Sequence, residues 1–160
     1  MPDLITTLPI GPVAMSHHVT GTYFMCNDWH DGVGNHAQTW AEFPFPKDGT
    51  SHKWYLVTNP GGTTARIESF ANRRCLTVGS KPSEVVTFQE RTDSLHQDWK
   101  FIRQDVSSDS FAIVSAVHPR FALGLSEYHQ LNDKALGLTR MWGGGVHMAQ
   151  VWRVFPESEL

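Results

Sequence analysis

The sequence predicts an all-β protein, a closed barrel of short strands with pseudo-threefold internal symmetry. Three observations carry this. Beyond residue 20, short runs rich in Val, Ile, Thr, Phe and Trp alternate with Gly, Pro, Asn, Asp and Ser, which is the composition of strands and turns. No segment sustains the i, i+3, i+4, i+7 apolar face of an amphipathic helix. One phrase also recurs: Ser51-His-Lys-Trp-Tyr-Leu-Val57, then His96-Gln-Asp-Trp-Lys-Phe-Ile102, then Ala149-Gln-Val-Trp-Arg-Val-Phe155.

In chain order, residues 1–20 read as an extended lead-in, with Pro2, Pro9 and Pro12 and no helical period. Strands are expected at Thr22–Cys26, Gln38–Phe43, Trp54–Thr58, Ala65–Phe70, Cys75–Val78, Val85–Gln89, Trp99–Arg103, Phe111–Val117, Ala122–Leu125, Ala135–Thr139 and Val151–Phe155. The tryptophans that close each unit are 45 residues apart (99 − 54) and 53 apart (152 − 99). The longer third unit carries an inserted loop, Trp142-Gly-Gly-Gly-Val-His-Met-Ala149. Periods of this size mark repeat architectures. Three units of four strands are too few for an ordinary propeller, whereas a closed barrel leaves no free sheet edge. The repeats fall at about 21–60, 61–106 and 107–156, within a single domain spanning 21–160. Trp54, Trp99 and Trp152 are expected to plug the barrel, and the preceding glutamine to satisfy backbone groups that a tight turn leaves unpaired.

Gln97-x-Trp99 and Gln150-x-Trp152 resemble the QxW signature of the ricin-B-like (R-type) lectins, and His52-Lys-Trp54 is a degenerate third copy. The resemblance covers roughly residues 20–156. It implies a β-trefoil, three four-stranded repeats forming a barrel with a hairpin cap. It also implies glycan binding without catalysis. The size and the shortage of cysteines resemble the small cytoplasmic lectins of mushrooms, for which a defence role is the expectation.

Bulk composition narrows the alternatives. A formal net charge of −3 over 160 residues gives no basic field for nucleic acid or anionic lipid. No apolar run approaches the ~20 residues of a membrane span. The region before Lys47 holds no Lys or Arg, and its apolar stretch is interrupted, so a secretory signal is not expected. Cys26 and Cys75 are too few for a disulfide framework and read as buried thiols of a cytoplasmic protein. The nine histidines have no spacing that makes a metal site, and no motif implies a cofactor.

Function is sought in what the repeats do not share. A sugar presents an apolar C–H face and a ring of hydroxyls. It asks for an aromatic platform, a carboxylate and further polar groups. The first unit offers these in Asp28-Trp-His-Asp-Gly-Val-Gly-Asn-His-Ala-Gln-Thr-Trp40. By resemblance to the galactose-type sites of the R-type family, Asp28, Asp31, Gly32, Gln38 and Trp40 match. The family's late polar residue has no clear match, Ser51 and His52 being nearest, and Asn35, His36 or His52 is expected to complete the rim. The alternative is that Trp40 is a core strand residue and Asp31-Gly32 only a hairpin turn. Tyr128, His129, Trp142 and His147 of the third unit form a second candidate, against the alternative of an insertion without a site. Homodimerisation would raise avidity. A β-trefoil protease inhibitor is the competing function, acting through Asn59-Pro-Gly-Gly62 or the Trp142–Met148 loop. A glycosidase would need two carboxylates facing across a cleft, and adjacent turn residues such as Asp28 and Asp31 more often only accept hydrogen bonds.

Overall fold

The computed structural model describes residues 8–26, 37–40, 52–70, 72–84, 86–124, 134–141 and 148–159. These form thirteen strands: β1 (Val13–His17), β2 (Tyr23–Cys26), β3 (Ala37–Trp40), β4 (Trp54–Thr58), β5 (Ala65–Ser69), β6 (Cys75–Thr77), β7 (Thr87–Gln89), β8 (Trp99–Arg103), β9 (Ser110–Ser115), β10 (Phe121–Gly124), β11 (Lys134–Ala135), β12 (Gly137–Arg140) and β13 (Val151–Pro156). Six of them, β1, β13, β9, β8, β5 and β4, pair antiparallel in a closed ring. The hairpins β2–β3, β6–β7 and β10–β12 hang from this barrel, one per repeat. Among the described residues there is no α-helix, only 3-10 turns such as Leu95–Gln97 and Met148–Gln150. This is the closed threefold barrel that the repeat predicts and the β-trefoil that the resemblance implies.

The threefold relation extends to single hydrogen bonds. Trp54, Trp99 and Trp152 are at most 1% exposed. Each indole Nε1–H donates to a carbonyl on its own repeat's second strand: Phe24 at 3.1 Å, Leu76 at 3.1 Å and Leu123 at 3.0 Å. The rings therefore fill the core without stranding a polar group. The residue before each tryptophan uses its carbonyl the same way, accepting from Phe70 N (to Lys53), Ala116 N (to Asp98) and His18 N (to Val151). At the cap, three buried residues close a ring of backbone bonds: Ala37 N to Val86 O at 3.2 Å, Val86 N to Leu136 O at 3.3 Å and Leu136 N to Ala37 O at 2.9 Å.

The glutamines do what a buried amide must do. Gln97 Oε1 accepts from Thr92 N at 2.9 Å, and its Nε2 donates to Glu90 O at 2.7 Å. Gln150 Nε2 donates to Thr139 O at 2.9 Å and Thr139 Oγ1 at 2.8 Å. Both tie the third-strand side of the hairpin to the turn that launches the tryptophan strand.

Two expectations change. The first strand of repeat one is Val13–His17, inside the segment read as a lead-in, and Tyr23–Cys26 is the second strand. Val13–His17 pairs along its length with Val151–Pro156 and is buried at all five positions. A strand covered on both faces shows no alternation, so the period-2 signal is absent. The described residues form thirteen strands rather than twelve because Leu136 leaves the ladder to join the cap ring, dividing the third strand of repeat three into β11 and β12.

Candidate functional site

The three hairpins share one register, and that register ranks the repeats. The carbonyl that receives the indole marks equivalent positions: Phe24, Leu76 and Leu123. One residue before each, on the second strand, stand Tyr23, Cys75 and Ala122, and across the hairpin from these stand Trp40, Gln89 and Thr139. Only the first repeat puts an aromatic residue at this position. Gln89 turns back to Thr87 Oγ1 at 3.0 Å, and Thr139 Oγ1 is engaged by Gln150 at 2.8 Å. Neither gives a flat apolar surface for the C–H face of a sugar. Gln38 is paired across the hairpin with Met25, which is fully buried.

The remaining predicted residues divide sharply. Asp28, Asp31, Gly32, Asn35 and His36, and the second set Tyr128, His129, Trp142 and His147, lie outside the described residues. The hairpin that carries Trp40 also touches the third repeat: Thr39 and Gln38 pair with Lys134 and Ala135. Gln38 and Trp40 are thus two residues apart on a strand held on both edges.

His52 is 6% exposed and stands where the other repeats place glutamine. Its Nε2 is 3.8 Å from Glu157 Oε2, and Lys53 Nζ is 3.8 Å from the other carboxylate oxygen. The degenerate signature thus faces the C-terminal 3-10 turn Glu157–Glu159, whose first amide donates to Pro12 O at 3.0 Å.

His17, from the same histidine-rich sequence, is structural. Its ring is 1% exposed and packs edge-on against Trp152 at 5.0 Å. Nε2 lies 2.7 Å from Ala149 O, and Nδ1 accepts from Thr20 N at 3.3 Å. That pattern fixes the neutral ring with its proton on Nε2. Burial holds its pKa below the ordinary 6.5, opposed by the bond to Ala149 and assisted by nearby His18. No group of three potential metal ligands exists among the described residues.

One polar concavity was not marked by the sequence reading. Asn59, Pro60, Arg66, Arg91, Asp93 and Asp98 line a cleft between the first and second repeats. Asn59 and Pro60 come from the Asn59–Gly62 turn and Asp98 from the Gln97-x-Trp99 phrase, but the set is scattered over forty residues and only the fold brings it together.

No family model matches the sequence, and no curated protein matches it. Solved structures do. The Rhizoctonia solani agglutinin superposes with a TM-score of 0.73 at 20% identity, covering 94% of this chain and 97% of that one. A Macrolepiota procera ricin B-like lectin in complex with lactose gives 0.67 at 15% identity, covering 91% and 95%. A mosquitocidal holotoxin gives 0.78 at 14% identity over 92% of this chain, which spans only 17% of the holotoxin's length. At these identities the likeness is one of fold: the chain is a β-trefoil built like those of the ricin B-like lectins.

Proposed function

We propose that the protein is a lectin without catalysis, binding glycans through its first repeat, with galactose or N-acetylgalactosamine as the favoured sugar type. The observation that carries this reading is the register: of the three equivalent positions Trp40, Gln89 and Thr139, only the first is aromatic. Asp28, which follows β2 by two residues, supplies the carboxylate that accepts from two hydroxyls. Asn35 or His36 completes the rim. The lactose-bound Macrolepiota procera lectin supports a galactose-type preference by likeness of fold.

A glycan array on the recombinant protein tests the class, and variants test the site. Asp28→Ala removes a charge-assisted acceptor worth roughly 1.5–3 kcal/mol, so affinity for the best array ligand falls about tenfold or more. Trp142→Ala leaves affinity within about a factor of three if the third repeat is silent, that is within about 0.7 kcal/mol. A blank array together with tight inhibition of a protease would overturn the reading in favour of the inhibitor. Of the two turns that an inhibitor could use, Asn59–Gly62 is closed on itself, with Asn59 N bonded to Thr64 O at 2.9 Å and Gly62 N to Asn59 O at 3.0 Å, and the Trp142–Met148 loop lies largely outside the described residues.

A further inference from the structure

The cleft at the junction of repeats one and two has a volume of about 370 Å3, at the lower end of the range of small-ligand sites, roughly 300–1,000 Å3. It is separate from the hairpin register that singles out Trp40. The second repeat's equivalent of Trp40 is Gln89, which is not among its walls.

Its floor is rigidly built. Arg66 is 8% exposed. From behind, its Nε donates to Glu68 Oε2 at 2.9 Å, and Arg73 Nε takes the other oxygen of Glu68 at 2.8 Å. In front, Arg66 Nη1 donates to Asn59 Oδ1 at 2.7 Å. The Asn59 amide passes the contact on, donating to Asp98 Oδ1 at 2.9 Å and to Thr64 Oγ1 at 3.0 Å. The rim is set by Arg91, whose Nε donates to Asp93 Oδ1 at 2.8 Å, with Asp93 in the left-handed region at φ 59°. A non-glycine residue there is held at some conformational cost.

What remains unused defines the ligand. Among the described residues, Asp98 Oδ2, Asp93 Oδ2 and both terminal nitrogens of Arg91 have no protein hydrogen-bond partner. The walls carry two guanidinium groups and two carboxylates, so an anion meets the carboxylates and a cation meets the guanidiniums. A neutral polyol meets neither penalty. Each of its hydroxyls can donate to a carboxylate oxygen while accepting from a guanidinium N–H, and adjacent hydroxyls repeat the pattern. A zwitterion would also match the charges, and titration with glycine separates the two. We propose that this cleft is a second carbohydrate site, without an aromatic platform, that takes one neutral sugar unit. It goes beyond the first-repeat reading and stands without it.

The test is a titration of 15N-labelled protein with the methyl glycosides of galactose, glucose and mannose, following the Arg66 Nε–H and Asn59 side-chain amide signals. One or more of these neutral glycosides should shift both signals saturably. Asp98→Asn, which keeps an oxygen for the Asn59 amide, should weaken binding about tenfold or more. Arg91→Ala, at a side chain 56% exposed, should weaken binding in the same direction with an unchanged fold, and so covers failure of the first variant to fold. Trp40→Ala should leave these shifts in place, which separates this site from the first-repeat reading. The proposal is overturned if no glycoside moves the two signals, if both folded variants bind as wild type does, or if glycine or glucuronate moves the signals while the neutral glycosides do not.

Discussion

Each glutamine of the repeated signature is 1% exposed, and its amide bonds to backbone of the adjoining hairpin and turn. Replacing Gln97 with alanine removes its bonds to Thr92 N and Glu90 O, at a cost of about 1–3 kcal/mol in chemical denaturation. Trp99→Ala empties a larger site and removes the indole bond to Leu76 O, costing about 3–5 kcal/mol. His17 makes stability depend on pH. Its folded pKa lies below the ordinary 6.5, so as pH falls through 6.5 the unfolded chain takes up a proton that the folded ring refuses. Stability is therefore full above pH 6.5 and declines below it until the folded ring itself protonates. His17→Gln should flatten this part of the profile in thermal melts from pH 7.5 to 5. Cys75 is a buried free thiol, its pKa pushed up to about 11, chiefly by burial and then by Glu68. Alkylation of Cys75 in the folded protein at pH 7.5 should be slow and should quicken on unfolding.

The lesson in what the sequence reveals sits at the element scale. Alternating strands such as Trp99–Arg103, with its buried Trp99 and Phe101 and exposed Lys100, were legible because one face meets water. Val13–His17 was hidden because both faces are covered and its last two residues are polar. A spacing signal did exist: Met15 precedes Trp54 by 39 residues (54 − 15), as Ile113 precedes Trp152 (152 − 113). Both are buried on the first strand of their repeat. The third hairpin depends on a missing side chain. A Cβ on Gly124 would lie 2.8 Å from Ala149 O and 2.9 Å from Thr139 Oγ1, where the strand passes beneath the Gln150 turn. Gly124→Ala should cost about 1–3 kcal/mol by overpacking, and the urea midpoint should fall accordingly.

At the scale of the molecule, three repeats with one backbone plan have diverged in their side chains. Identical demands, such as filling the barrel and satisfying the indole and the cap ring, keep tryptophan and its carbonyl partner in each. Those demands are periodic, which is why the fold could be read from the chain. The site positions answer to no shared demand. Trp40 was legible as an unshared aromatic, whereas the Arg66–Asn59–Asp98 cleft was not, since its residues come from different repeats and meet only across the β5–β8 junction. Calorimetric titration of the best array glycan into wild type and Trp40→Ala tests the central claim, that the first repeat binds through this tryptophan. The account predicts a loss of about tenfold or more in affinity, the scale of a lost buried apolar contact, with an unchanged melting temperature. Equal affinity in the two proteins, or a Trp40→Ala protein whose melting temperature falls as a core residue's would, contradicts it.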